Sequence, residues 1–148
     1  MKFSKKSRYG LAALIDLSVN SKAEQVALNS IAERNDISPQ YLEQIFASLR
    51  RAGIVRSIKG PQGGYFLNKP TDKITVAEVV ETLEGNYKVE NQFVTVGNKQ
   101  PEISDAIQHL VVDRVNADLE NVLTNITLQD LEQNYMESLG NEQDMYYI

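Results

Sequence analysis

The sequence predicts a mainly α-helical fold with one small β-hairpin, arranged as a winged helix-turn-helix head followed by a long dimerisation helix. Three observations predict this class. Apolar residues recur at helical spacing in most segments, a glycine-rich loop at 59–64 separates two short β-prone runs, and a further apolar stripe extends along 104–126. The 148 residues are enough for one domain with an oligomerisation arm. We divide the chain into a head at 1–85, a linker loop at 86–103, dimerisation helices at 104–139 and a C-terminal tail at 140–148.

The first two helices are predicted from apolar spacing. A helix from about position 4 to position 19 has an amphipathic stripe made of Leu11, Leu14, Ile15 and Val19. A shorter helix covers about 29–34, with Ile31 and Ala32 directed inward. The start of the chain mimics a secretory signal, but Asp16 interrupts the apolar run and no small-residue cleavage site follows. No stretch reaches the length of a membrane span, so we expect a cytoplasmic protein.

The third helix has clear start and stop signals. Ser38 is a good N-cap, Pro39 suits the first helical position, and Gly53 ends the helix. Its core-facing positions fall at i, i+3, i+4 and i+7: Leu42, Ile45, Phe46 and Leu49. Its opposite face keeps polar side chains in solvent: Gln40, Glu43, Gln44 and Arg51. Together with the second helix it predicts a helix-turn-helix.

A hairpin wing and a fourth helix follow. The β-prone runs 54–58 and 65–67 flank the loop 59–64, which lacks the Gly-Lys-Ser/Thr ending of a phosphate-binding P-loop. Its glycines are therefore explained as turn residues. Thr75 and Glu78 are three positions apart and predict a capping box. The fourth helix then has an apolar face and ends at a glycine: Val76, Val79, Val80, Leu83 and Gly85.

The C-terminal half predicts the dimer. Ser104 is expected to cap a helix that extends to about residue 125, roughly 30 Å at 1.5 Å per residue. A single arm on a small head has too little surface to cover the apolar stripe, so we predict a symmetric dimer. The predicted interface comprises Ile107, Leu110, Val111, Val115, Leu119 and Val122. Thr127 caps a short last helix, and a polar tail follows Gly140.

The charge is divided between the two halves of the chain. Residues 1–70 hold eleven basic and five acidic residues, a net charge of +6, whereas residues 71–148 hold four basic and fifteen acidic residues, a net charge of −11. A basic head beside an acidic arm is typical of a nucleic-acid-binding protein, although the overall net charge is −5.

Catalytic and metal chemistry find little support in the sequence. Cysteine is absent, which excludes disulfides, thiol redox sensing and cysteine-ligated metal centres. His109 is the single histidine, and we interpret it as a helix-surface or interface residue because one imidazole does not make a metal site. No nucleophile pairs with it and the carboxylates are scattered. We therefore predict no catalytic residues, no metal and no cofactor, and hence no enzyme.

Several motifs carry a resemblance to a known family. They are Ser7-Arg8-Tyr9-Gly10, Tyr41-Leu42-Glu43-Gln44, Leu49-Arg50, Ala52-Gly53 and Lys59-Gly60-Pro61-Gln62-Gly63-Gly64-Tyr65. In this order and spacing the chain resembles the Rrf2 family of bacterial winged helix-turn-helix regulators, through about residue 85 and weakly to the C-terminus. Some members of that family sense through an iron–sulfur cluster held by three cysteines after the winged domain. The corresponding segment here, 86–102, has none.

The resemblance implies a DNA interface on the third helix and the wing. Gln40 and Gln44 can pair bidentately with adenine, and Glu43 can accept from a cytosine amino group. Lys59 lies where the family places a cation that enters the minor groove, and lysine lacks the planar fork of arginine there. Tyr41 is left open between a DNA-backbone contact and packing inward, and Ser38 completes the helix start. The expected phosphate contacts are Lys5, Arg8, Tyr9, Arg50, Arg51, Arg56 and Ser57. The alternative for each residue is an ordinary solvated surface group.

The function predicted from these observations is a homodimeric, sequence-specific DNA-binding repressor. The chain also resembles the cysteine-metabolism repressors within the family, which lack a cluster and work with O-acetylserine sulfhydrylase. That resemblance implies control of cysteine and sulfur genes and a contact of the enzyme with the C-terminal residues Tyr146, Tyr147 and Ile148. The alternative for these last residues is a frayed terminus or a tail packed on its own dimer. Two alternatives are a regulator of the same type that answers another signal, and a winged-helix module that binds protein.

Overall fold

The computed structural model describes residues 3–89 and 100–146. The elements within these residues are α1 (Lys5–Asn20), α2 (Leu28–Asn35), α3 (Pro39–Arg51), β1 (Val55–Ile58), β2 (Gly64–Leu67), a 3₁₀ turn (Thr71–Lys73), α4 (Val76–Glu84), α5 (Pro101–Ile107), a π-helical segment (Gln108–Val112), α6 (Asp113–Asn125) and α7 (Leu128–Tyr146). The mainly helical fold with one hairpin is confirmed.

The helix-turn-helix forms because α2 and α3 each bury one face. Ile31 and Ala32 of α2 are buried, and the Ile37 amide donates to the Ala32 carbonyl at 3.0 Å across the turn. Asp36 has a φ of 53°, the left-handed conformation that ends a helix. The four predicted core positions of α3 are fully buried: Leu42, Ile45, Phe46 and Leu49. Ser38 caps α3 as expected, since its hydroxyl accepts from the Tyr41 amide at 3.4 Å.

The wing is an antiparallel hairpin. β1 and β2 pair from Val55 opposite Leu67 to Ile58 opposite Gly64. The ring of Tyr65 packs on Phe46 of α3 with ring centroids 4.7 Å apart, so the hairpin is fixed to α3 through the core. Outside the hairpin, Val26 forms an isolated antiparallel bridge with Tyr65.

The helix α4 joins the head to the C-terminal arm. Its apolar face is buried as predicted, and Thr75 accepts from the Glu78 amide at 3.1 Å. The other half of the expected capping box is replaced, because the Glu78 carboxylate pairs with Lys69 at 2.7 Å. Tyr87, which lies in the predicted linker loop, is buried against Val76, Ala77 and Val80 of α4.

The predicted arm was wrong in where it begins. The helix begins at Pro101 rather than at Ser104, because proline at the first helical position presets the helical φ. Residues 101–103, predicted as the end of the linker, therefore belong to the helix. The π-helical segment interrupts it where the Asp113 amide donates to the Gln108 carbonyl. Leu119, also predicted at the dimer interface, is partly buried against the cluster of Val76, Ala77, Val80 and Tyr87 in its own chain. The reason is that α4 supplies an apolar surface that covers this part of the stripe.

The last helix was also predicted too short. α7 continues through Gly140 to Tyr146, so 140–146 is helical rather than a tail. Glycine in a helix costs only about 1 kcal/mol relative to alanine and does not by itself end the helix. Thr127 caps it as expected: the Asp130 amide donates to its hydroxyl at 3.2 Å, and the Asp130 carboxylate accepts from the Thr127 amide at 2.9 Å. Among the residues described, no helix is both long and apolar enough to cross a bilayer.

Candidate nucleic-acid interface

The exposed face of α3 presents three polar side chains together. Because the opposite face is anchored in the core, Gln40, Glu43 and Gln44 are directed to solvent. Within the described residues none of these three side chains has a hydrogen-bond or ion-pair partner. Amide and carboxylate groups at adjacent helical positions can donate to and accept from base edges in a major groove.

A cationic cleft lies between the end of α3 and the wing. The cleft has a volume of about 360 Å³, and its walls include Arg50, Ser57 and Lys59. The Arg50 guanidinium Nη1 lies 3.4 Å from the Ser57 hydroxyl oxygen, at the limit of a hydrogen bond. Two cations and a hydroxyl in one open cleft are the groups that hold a phosphate in protein–DNA complexes. Three of the predicted contact residues are therefore brought together.

The two other arginines near α3 are held by neighbouring side chains. Arg51 donates from Nη2 to the Ser48 hydroxyl at 3.3 Å. The Arg56 guanidinium lies 5.0 Å from the ring centroid of Phe66, its partner across the hairpin. A guanidinium stacked on a ring keeps its N–H edge free for an anion. Phe66 was not predicted as a site residue, although the strand register, once known, identifies it.

The N-terminal end of α1 contributes a separate set of groups. Lys5 and Arg8 are exposed, and the Arg8 guanidinium lies 5.4 Å from the Phe3 ring centroid. Tyr9 and Tyr41 meet edge to face with centroids 5.8 Å apart, at the edge of the core. The ring of Tyr41 thus packs against α1, while part of the side chain stays exposed. Their contact joins α1 to the start of α3.

The predicted partner contact falls at the end of the chain. Tyr146 is the last residue of α7, whereas Tyr147 and Ile148 lie outside the described residues. The contact with O-acetylserine sulfhydrylase stays a prediction from the sequence.

Comparison with known proteins gives a consistent family. A family model described as "Rrf2: Iron-dependent Transcriptional regulator" matches residues 3–134. The HTH-type transcriptional regulator IscR of Escherichia coli O1:K1 / APEC is 35% identical over 134 residues, which are 90% of this chain and 82% of that relative. IscR of Cereibacter sphaeroides is 48% identical over 86 residues, but this match spans only 57% of the chain and 56% of that relative.

A solved structure agrees with these relatives. The structure of CymR (YrzC), described as the global cysteine regulator of B. subtilis, superimposes with a TM-score of 0.76 at 34% identity. The match covers 90% of this chain and 98% of that one.

The residues present do not fit an iron centre. His109 and Asp113 are 3.2 Å apart on exposed helix surface, and Gln108 also donates to Asp113 at 2.8 Å. Within 3–89 and 100–146, no three His, Cys, Asp or Glu side chains are grouped so that they could hold a metal ion. The full sequence contains no cysteine to bind a cluster.

Proposed function

The chain belongs to the Rrf2 family of DNA-binding transcriptional regulators, and on that premise we propose that it is a homodimeric repressor of cysteine and sulfur genes. The observation that carries the DNA-binding part is the juxtaposition of three unpaired polar side chains on α3 with the cationic cleft of Arg50, Ser57 and Lys59. One surface reads base edges and the neighbouring surface holds the DNA backbone.

The proposed division of labour follows from chemistry. Gln40, Gln44 and Glu43 are assigned to the major groove, where amide and carboxylate groups distinguish bases. Arg50, Arg51 and Arg56 are assigned to phosphates, which fix the register of the protein but carry no sequence information. Lys59 at the loop of the wing is assigned to the adjacent minor groove, where a narrow A·T-rich segment attracts a cation. The N-terminal residues of α1 are assigned to a flanking phosphate.

The dimer is supported by uncovered apolar surface on the arm. Leu110 is 66% exposed and Val111 is 54% exposed, although both are large apolar residues. The same surface continues through Ile103, Ile107, Val115 and Val122. A contiguous apolar surface of this kind on a single helix marks an interaction site, and a second copy of the chain is the partner that a palindromic operator requires.

The regulated genes are proposed from two observations. One is the likeness to the CymR structure, which extends over nearly all of that chain. The other is the absence of cysteine, which is inconsistent with the cysteine-held cluster found in other members of the family. A regulator that answers another signal and a protein-binding winged module are the competing proposals, and they predict different results in the experiment below.

The experiment begins with selection of a duplex from a randomised library by the purified full-length protein. We expect enrichment of a palindromic sequence whose half-sites are one or more helical turns apart. Affinity for this selected duplex should fall steeply between about 50 and 200 mM salt, with a log–log slope of about −0.9 per phosphate contact. Failure to enrich any sequence, or a slope near zero, would point to the protein-binding module. A transcription assay on sulfur-gene promoters that contain the selected sequence then separates the two regulatory proposals.

A further inference from the structure

A third backbone segment, outside the hairpin, pairs with the wing on the side of β2 that faces away from β1. The seven residues between α1 and α2, 21–27, form a connector that pairs with β2 at one bridge, Val26 with Tyr65. Val26 donates its amide to the Tyr65 carbonyl at 3.1 Å and accepts from the Tyr65 amide at 2.9 Å. Since both backbone groups of Tyr65 are used by Val26, its pair with Ser57 of β1 is of the non-hydrogen-bonded type. The connector and β1 therefore flank β2 on opposite sides.

The backbones of the connector and β2 lie too close together to admit a side chain at Gly64. A Cβ atom on Gly64 would lie 2.6 Å from the carbonyl oxygen of Val26 and 3.1 Å from the amide nitrogen of Ala27. Glycine is thus required at 64 by the approach of another backbone. Val26 is itself buried in the main core, so the edge against which β2 packs is fixed to the head.

One side chain extends this support to the loop of the wing. The Gln25 amide Nε2 donates to the carbonyl oxygen of Gln62 at 2.5 Å. Gln62 belongs to the loop 59–63, which the Gly63 amide closes by donating to the Gly60 carbonyl at 2.9 Å. The loop is therefore tied to the connector beside it as well as closed within itself. The other end of the connector is anchored too, since Lys22 pairs with Glu132 of α7 at 2.9 Å.

We propose that Gln25 is a positioning residue for the wing, which acts through Gln62 to hold Lys59 at the depth and angle from which it reaches the DNA. The inference rests on the proposed function, because it assumes that Lys59 contacts the duplex. Gln25 itself does not contact the DNA; it holds the loop of the wing in place. A loop with two glycines and one cation would otherwise sample many conformations, and ordering it on binding would weaken affinity.

The test uses a substitution that removes the donor and keeps the length of the side chain. In Gln25→Met we expect the melting temperature to stay unchanged while the Gly63 amide exchanges with solvent faster. Affinity for the selected duplex should fall about fivefold, the equivalent of one net hydrogen bond. Gln133→Met on the exposed surface of α7 is the matched control and should change neither property.

A double-mutant cycle with Lys59→Ala distinguishes positioning from a direct contact. If Gln25 acts through the loop, Gln25→Met should cost less than twofold in affinity once Lys59 has been replaced. An additive fivefold loss in both backgrounds would overturn the positioning role, as would unchanged exchange of the Gly63 amide. Should Lys59→Ala leave affinity unchanged, the wing contact of the proposed function fails, and the role of Gln25 in DNA binding fails with it. The Gly63 exchange rate still decides separately whether Gln25 orders the loop.

Discussion

Arg34 of α2 donates two hydrogen bonds to the carboxylate of Asp16 on α1, from Nε at 2.9 Å and from Nη2 at 2.7 Å. Asn35 adds a third donor to the same carboxylate at 3.0 Å. Asp16 is the residue that breaks the apolar run at the start of the sequence, and the structure shows why it is there. It connects the first helix of the head to the first helix of the helix-turn-helix.

Replacement of Asp16 with alanine should lower stability. The carboxylate is largely buried, and its loss leaves Arg34 without its acceptor and Asn35 with only the Ile31 carbonyl. We expect a decrease of about 1–3 kcal/mol in the free energy of unfolding, measured by urea denaturation. The hydrogen bond to Asp16 raises the pKa of Arg34, so this contribution is fully present below the pKa of an unfolded arginine and is constant near neutral pH. A loss that varies between mildly acidic and mildly basic pH would contradict the assignment.

A second pH effect is expected from Tyr87. Burial, followed by the charges of Glu120 and Glu81, raises the pKa of this phenol above its ordinary value. The unfolded chain therefore loses its proton first, so stability is fully present below about pH 10 and decreases as the pH rises further. Thermal unfolding of wild type and Tyr87→Phe at several alkaline pH values measures the effect. The variant should show a shallower decrease, and equal slopes would refute it.

The dimer surface can be tested without disturbing the protomer. Leu110→Glu combined with Val122→Glu should yield folded monomers, because both side chains are exposed in one chain. Leu119→Glu should instead lower stability, since Leu119 packs on the core of its own chain. Analytical ultracentrifugation and circular dichroism separate these outcomes, with Ala117→Glu at an exposed position on the same helix as the control. A wild-type protein that sediments as a monomer at micromolar concentration would exclude the dimer.

The helical path of α7 past Gly140 predicts a stabilising substitution. A Cβ at Gly140 would meet nothing within 4 Å, and the residue lies inside a helix. Gly140→Ala should therefore raise the free energy of unfolding by about 0.5–1 kcal/mol. Gly60→Ala provides the contrast. Although the space around it is also open, its φ of 117° strains any side chain, and we expect destabilisation. Destabilisation by Gly140→Ala would mean that 140–146 is not helical in solution.

The sequence predicted the head well because each signal there is local. Ser38, Pro39 and Gly53 mark the recognition helix, and the spacing of four apolar residues fixes which face is exposed. The candidate interface on α3 could be inferred for the same reason. The residues proposed to read base edges are those on the exposed face of α3, opposite its four buried apolar residues.

The arm was predicted less well because its contacts are long-range. Leu119 belongs to the same apolar stripe as Val115 and Val122. Nothing in the spacing shows that Leu119 packs against α4 while Val115 and Val122 stay exposed. The hydrogen bond from Gln25 to the loop of the wing was not predicted for a related reason. Gln25 lies thirty-seven positions from Gln62, in a segment without apolar periodicity, so only the fold brings them together.

The central claim is that α3 reads sequence while neighbouring arginines hold the backbone. It is tested most directly by the free-energy difference between binding to the selected duplex and to a random duplex at one stated salt concentration. We expect Gln44→Ala to reduce this difference by roughly 1–3 kcal/mol, and Arg51→Ala to weaken binding to both duplexes about equally. An equal loss on both duplexes for Gln44→Ala, with the discrimination of the wild type retained, would contradict the claim.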